Sequence, residues 1–159
     1  LFTQEEVETL EAQHAEAPHL RVLQKAMAEE ITVRVHGRDA YEGAKSASEI
    51  LFNKKASFND LKSIDLRTWK GIATELPTAT ISQSDLAEIT DIATLTSTAT
   101  DNLIFASKGE ATRMIKGGGL SINKVKMADA AAKPEFEWIH DTFLLAQKGK
   151  SFFLFEKKA

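Results

Sequence analysis

Residues 106–127, ASKGEATRMIKGGGLSINKVKM, predict a short helix that leads into a β-hairpin. Ser107 can cap the helix, and Glu110, three residues later, has the spacing of a capping box. The glycines at 117–119 end the helix, because glycine adopts a positive φ at little cost. This stretch therefore sets a helix directly against the start of a small sheet.

The hairpin follows from the residues after the glycines. Residues 120–122, LSI, alternate apolar and polar side chains, as a half-buried strand does. Asn123-Lys124 suits a tight turn, and residues 125–127, VKM, begin the return strand. A second hairpin is predicted from the strand-like residues 142–146 and 151–155, joined by a basic tip at residues 148–150.

Basic side chains recur along the first helix and hairpin. Arg113 and Lys116 lie three residues apart, so both point the same way from a helix. The five basic residues of the stretch are Lys108, Arg113, Lys116, Lys124 and Lys126. A helix and hairpin that expose such a set are typical of a surface that contacts a phosphate backbone. Lysines in these places are also often only solubilising, so the pattern by itself leaves both interpretations open.

Composition narrows the function classes. The 159 residues fit one large or two small domains, and the absence of cysteine excludes a disulfide scaffold, a thiol nucleophile and a cysteine-ligated zinc site. No apolar run reaches the ~18 residues of a membrane span, so no membrane partner is predicted. The net charge is −3, but residues 1–106 carry −7 and residues 107–159 carry +4. The C-terminal part is therefore the one suited to a polyanion.

The first half of the chain predicts mainly helices. Thr3 and Glu6 form a capping box for the first helix, and Pro18 suits the first turn of a second helix that Gly37 ends. The second helix carries apolar residues at helical spacing, namely Leu20, Leu23, Met27, Ile31 and Val35. Further helices are predicted over residues 38–52 and from the caps Ser57, Asp65 and Ser82, with an extended segment at 78–81 and a threonine-rich loop at 94–102.

The resulting fold prediction is α+β. A mostly helical region, residues 1–80, precedes a module of helices on a short antiparallel sheet, residues 81–159. The beginning of the chain at Leu1-Phe2 predicts an excised fragment.

The sequence contains no recognised catalytic or metal-binding pattern. The four histidines lack ligand spacing, no serine lies in a nucleophile elbow, and the glycine run follows a helix instead of preceding one. No catalytic residue and no metal site are predicted. Phe152, Phe153 and Phe155 fit a base-stacking surface, but an alternating pair such as Phe153 and Phe155 is more typical of the core side of a strand, and that interpretation is favoured. Trp69 and Trp138 are likewise predicted to be core residues.

Two separated stretches resemble the C-terminal region of tyrosyl-tRNA synthetases. Residues 21–52, with the phrase QKxxAxExTxxVHG, resemble the helical region that follows the catalytic domain in that family. Residues 107–127 with 148–155 resemble the alpha-L RNA-binding module, first known from a ribosomal small-subunit protein. That module alone is shared with several other RNA-binding families, so the combination is more specific than either stretch.

The resemblance implies a tRNA-binding fragment that positions tyrosine tRNA for aminoacylation by an absent catalytic domain. ATP would serve the full-length enzyme, and this fragment would need no cofactor. The fragment would be a monomer, and the full-length ligase a homodimer through the missing domain. The RNA-binding residues transferred by position are Lys108, Arg113, Lys116, Asn123, Lys124, Lys126, Lys148 and Lys150.

The chain departs from the family pattern at several places. Asn123-Lys124 stands where related modules usually have Asn-Gly, and the connection over residues 130–141 and the segment before Asn102 are longer than usual. Such insertions are typical of organellar members, which favours the mitochondrial matrix over the cytoplasm. Two alternatives stay open: binding of structured intron RNA with assistance to splicing, and a protein-interaction module built on the acidic helical half.

Overall fold

The fold is described from a computed structural model over residues 2–158. The chain divides into two compact units, Leu1–Ser46 and Ala47–Ala159. The boundary predicted from the sequence lies near residue 80. The difference arises because apolar side chains of residues 47–76 pack with side chains of the C-terminal strands in one cluster.

The first unit is helical. Its elements are α1 (Gln4–Glu16), a 3-10 turn (Pro18–Leu20), α2 (Val22–His36) and the first part of α3 (Arg38–Phe52). The capping box of Thr3 and Glu6 is present in full, as predicted. Gly37, with φ of 89°, ends α2, which was also predicted.

The start of α2 differs from the prediction. Pro18 lies in the separate 3-10 turn, and α2 begins four residues later at Val22. Arg21 stands between them with a positive φ of 54°, which breaks the helical path.

The apolar stripe predicted on α2 has helical spacing but is not buried. Leu20, Met27, Ile31 and Val35 are all exposed. Neither α1 nor α2 contains a fully buried residue. The helical spacing of these residues is thus confirmed. Spacing alone does not indicate whether another part of the protein covers them.

The second unit contains the sheet. Its helices are the end of α3, then α4 (Phe58–Ser63), α5 (Leu66–Glu75), α6 (Gln83–Glu88), α7 (Ile92–Leu95) and α8 (Lys108–Lys116). Its strands are β1 (Thr78–Ser82), β2 (Leu120–Ile122), β3 (Val125–Lys126), β4 (Phe143–Lys148) and β5 (Ser151–Lys158). The predicted caps Ser57, Asp65, Ser82 and Ser107 each accept a backbone hydrogen bond at a helix start.

The strands form a sheet in the order β1-β5-β4-β2-β3. Strand β1 is parallel to β5, and the other neighbours are antiparallel. The α+β class is confirmed, but the sheet is mixed and not purely antiparallel. The sequence predicts residues 78–81 only as an extended segment, because no local signal identifies the last strand as their partner.

Both faces of the sheet carry a core, since successive residues of a strand point to opposite faces. On one face, Leu144 and Phe155 pack with Ile115 of α8. On the other face, Leu145 and Leu154 pack with helices α3 to α5 in a cluster that includes Trp69.

The aromatic predictions can be checked against these clusters. Phe155 is fully buried, and Phe153 and Phe152 pack against opposite clusters, which agrees with the core interpretation. Trp69 is fully buried, its indole N–H donates to Leu61 O at 3.1 Å, and it stacks on Phe143 with ring centroids 6.2 Å apart.

The threonine-rich segment 94–102 is more ordered than the predicted loop. It holds the end of α7 and a 3-10 turn (Thr98–Thr100), and Thr96, Ser97 and Thr100 are buried. Each buried hydroxyl donates to a backbone carbonyl within five residues, so the polar groups are satisfied inside the fold.

Candidate nucleic-acid interface

Helix α8 is held by its apolar side and presents its basic side to solvent. Ala111 and Ile115 are fully buried in the core. Arg113 and Lys116 lie on the exposed side of the same helix. The sequence therefore places a fixed helix with two cations outward, as predicted from their spacing.

The predicted capping box of α8 is only half formed. The backbone N–H of Glu110 donates to Ser107 Oγ at 3.2 Å. The carboxylate of Glu110 accepts from the backbone N–H of Ala106 at 3.0 Å and from Lys148 Nζ at 3.0 Å. The hydrogen bond from Lys148 and then that from Ala106 lower the pKa of Glu110. Glu110 thus ties the start of α8 to strand β4.

The glycine turn brings the end of α8 against the second hairpin. Gly118 has a positive φ of 69°. Gly119 allows a close approach, because a Cβ there would lie 3.1 Å from the backbone carbonyl oxygen of Met114. Its carbonyl accepts from Gly149 N at 3.3 Å, so the turn after α8 contacts the tip between β4 and β5.

Asn123 forms part of the first hairpin turn and is buried. Asn123 and Lys124 have φ of 48° and 71°, as a two-residue hairpin turn of type I′ requires. The Asn123 amide donates to Glu137 O at 2.8 Å and accepts from Leu145 N at 3.0 Å. Its side chain is therefore committed to holding the hairpin on the sheet, which sequence reasoning did not foresee.

The side chain of Lys124 also forms contacts within the fold. Its Nζ donates to the carbonyls of Leu51 and Asn53 at the end of α3 and lies 5.5 Å from the centre of the Phe152 ring. Burial lowers the pKa of Lys124. The ammonium group satisfies carbonyls that a helix end leaves free, so it joins α3 to the hairpin.

Lys148 is the third predicted residue with internal contacts. Its Nζ donates to Ile104 O at 2.9 Å in addition to Glu110, and it lies 4.5 Å from the centre of the Phe105 ring. Lys148 therefore fastens β4 to the segment before α8.

Lys108 is paired but still more than half exposed. Its Nζ donates to Asp91 Oδ2 at 2.7 Å, and its side chain is 55% exposed. Asp91 caps α7 by accepting from Thr94 N at 2.8 Å. Burial would raise the pKa of Asp91, but the hydrogen bonds from Lys108 and Thr94 prevail and lower it from 3.8 to about 2.

The remaining four predicted cations are exposed: Arg113, Lys116, Lys126 and Lys150. Within residues 2–158 their side chains form no hydrogen bond or ion pair. We call these four the free cations.

The backbone segments that carry the free cations meet at one end of the second unit. Gly119 bonds to Gly149, which directly precedes Lys150. Leu120 O accepts from the backbone N–H of Met127, which directly follows Lys126. The end of α8, the end of β3 and the tip of the second hairpin therefore converge around the glycine turn, where unpaired cations are available for anions.

Three further features of the described residues concern metals, cavities and membranes. No group of three or more histidine, aspartate or glutamate side chains in it could hold a metal ion. An open groove of about 570 Å³ in the first unit is lined by Glu5 and Glu6 among others, which does not suit a polyanion. Among residues 2–158, no helix is long and apolar enough to span a membrane.

Two further exposed lysines lie outside the predicted set of RNA-binding residues. Lys54 and Lys55 follow α3 and lie close in sequence to Asn53, whose carbonyl Lys124 contacts. The available sequence signal is a basic pair that follows the phenylalanine at the end of the predicted helix 38–52 after one intervening residue.

Comparison with known proteins identifies relatives of the chain. No protein-family model matches it. A tyrosine–tRNA ligase of Cytophaga hutchinsonii is 44% identical over 94% of this chain and 35% of that protein. Those of Porphyromonas gingivalis and Amoebophilus asiaticus are 45% and 37% identical over 94% of the chain and about a third of their own length. The homologues are thus tyrosine–tRNA ligases, and the chain spans about a third of the length of the curated relatives it matches.

Proposed function

We propose that this relative of tyrosine–tRNA ligases is the part of such an enzyme that binds tyrosine tRNA and positions it for aminoacylation by a catalytic domain elsewhere. The observation that carries the proposal is that the backbone segments bearing the four free cations meet at the glycine turn. The extent of the matches, about a third of each relative, is consistent with a C-terminal fragment.

The free cations would bind phosphates of the tRNA backbone. Contacts of this kind fix the position of the RNA without reading its bases. Arg113 is suited to hold one phosphate through two parallel hydrogen bonds, whereas the three lysines act as point charges. Their attraction is electrostatic, so binding falls steeply as salt rises.

The eight predicted RNA-binding residues then have two different roles. Asn123, Lys124 and Lys148 hold the hairpins and helices in place through the internal contacts described above, while the free cations contact RNA. Lys108 can add a contact from its exposed part while paired with Asp91. Internal bonds fix these positions before RNA arrives, which lowers the entropic cost of binding.

The rest of the proposal concerns the full-length ligase. ATP would be used by the catalytic domain, the fragment would be a monomer and the full-length ligase a homodimer. The mitochondrial location stays a prediction that no comparison tests. Intron binding gains no support from the names of the relatives.

The test is a titration of the chain against tyrosine tRNA, with and without its long variable arm, at two salt concentrations. Arg113→Ala should weaken binding by about 1–3 kcal/mol and reduce the salt dependence by about one phosphate contact. Lys70→Ala is the matched control, because Lys70 is exposed on α5 and not among the free cations. Equal binding by wild type and Arg113→Ala would refute the assignment, and partner binding that survives nuclease treatment would favour a protein-interaction module.

A further inference from the structure

Phe52, the last residue of α3, is the most exposed large apolar side chain among residues 2–158. The residue is 71% exposed although it belongs to the unit that contains both cores. Burial of a phenylalanine ring stabilises a fold by about 1.5–3 kcal/mol. Phe52 makes little use of that stabilisation, so its ring is available to a ligand.

The ring of Phe52 is held outward by fixed neighbours. It meets the ring of Phe152 edge-on, with centroids 5.5 Å apart and planes at 86°. The carbonyls on both sides of it in sequence, those of Leu51 and Asn53, accept from Lys124 Nζ. The backbone that carries Phe52 is therefore anchored at two points, and the edge-on contact leaves a face of the ring uncovered.

Basic residues follow this ring in the sequence, and another lies on the sheet face that the ring contacts. Lys54 and Lys55 follow Phe52 closely and are exposed, without a side-chain partner among residues 2–158. The sheet register links Phe152 to Gln147, Gln147 to Ser121, and Ser121 to Lys126 across adjacent strands. Directly paired residues share a face, so Lys126, one of the free cations, projects on the same side of the sheet as the Phe152 ring.

We propose that Phe52 is a stacking platform for an unpaired nucleobase, with Lys54 and Lys55 binding the phosphates that flank it. An exposed aromatic ring next to lysines is the combination that holds single-stranded nucleic acid, because every base has a face to stack. This inference rests on the proposed function. It extends the RNA contact from the glycine turn, across the sheet, to the end of α3.

The test compares Phe52→Leu with Phe52→Trp in titrations against tyrosine tRNA. Loss of the ring should weaken binding about tenfold, and tryptophan should restore it, because stacking requires an aromatic face. Leu66→Ala is the matched control, since Leu66 is an exposed apolar residue at the start of α5. The loss at Phe52 should be equal at both salt concentrations, unlike the loss at Arg113.

A single-stranded RNA and a fully paired RNA together test whether the contact at Phe52 requires an unpaired base. Phe52→Leu should weaken binding to a single-stranded oligoribonucleotide and leave binding to a fully paired RNA duplex unchanged. Wild-type affinity of Phe52→Leu for the single strand, while Arg113→Ala is impaired, would overturn the stacking platform and leave the proposed function intact. Failure of the wild-type chain to bind any of these RNAs would overturn the proposed function itself.

Discussion

Helices begin with the same kind of capping residue in both units, but the units differ in how many of their side chains are buried. Thr3 caps α1 in the first unit much as Ser57 caps α4 in the second. Yet α1 and α2 contain no buried residue, whereas the second unit has a core on each face of its sheet. The comparison shows that capping and periodicity define a helix, while its contribution to stability depends on a surface to pack against.

One ion pair from each unit shows the same difference in burial. In the first unit, Arg38 and Glu29 meet at 2.7 Å but are 59% and 41% exposed. In the second unit, Lys108 meets Asp91 at the same distance, and Asp91 is only 13% exposed. Water screens the first pair much more than the second, so only the second should contribute clearly to stability.

The largest expected effect comes from the core of the second unit. Trp69→Ala should lower the free energy of unfolding by about 3–5 kcal/mol, because it removes a fully buried ring and its hydrogen bond to Leu61. Chemical denaturation measures the loss. Trp138→Ala, at a half-buried position packed against the other cluster, should cost clearly less, and equal losses would mean that burial does not distinguish the two sites.

Lowering the pH should reduce the stability contributed by the Lys108–Asp91 pair but not that contributed by the Arg38–Glu29 pair. The folded pKa of Asp91, about 2, lies below the ordinary 3.8, so its contribution is present above pH 3.8 and is lost as pH falls through 2. The shift corresponds to about 2 kcal/mol. The difference in unfolding free energy between wild type and Asp91→Asn should therefore shrink between pH 4 and pH 2.

Glu29→Gln is the control for that experiment. The hydrogen bonds from Arg38 and then Tyr41 lower the pKa of Glu29, but this carboxylate is exposed. We expect no measurable change in stability at any pH in this range. A pH-dependent loss as large as that at Asp91 would contradict the distinction between the two pairs.

The smallest expected effect lies on the exposed stripe of α2. Ile31→Ala should change the unfolding free energy by less than about 0.5 kcal/mol, because Ile31 is 58% exposed. The same substitution at the fully buried Ile115 of α8 should cost about 2–5 kcal/mol. A large loss at Ile31 in denaturation experiments on this chain would show that the stripe is covered in solution.

Much of the fold follows from short-range signals. The caps Thr3, Ser57 and Asp65 and the breaker Gly37 each act within one turn of helix, so their effect was readable from sequence. The parallel pairing of β1 with β5 was not, because Thr78 and Leu154 are neighbours only through a long connection.

The features of the candidate site also divide into those that local sequence determines and those that depend on distant contacts. The sequence by itself determined the helix, the glycine turn and the hairpin, since these depend on backbone preferences a few residues apart. Only the tertiary structure decided which cations are free. Lys124 and Lys148 find carbonyl partners 73 and 44 residues away, whereas Arg113 finds none among residues 2–158. Lysine and arginine side chains carry the same charge whether or not they have an internal partner. Whether that charge can bind an external anion depends on which distant groups the fold places beside it.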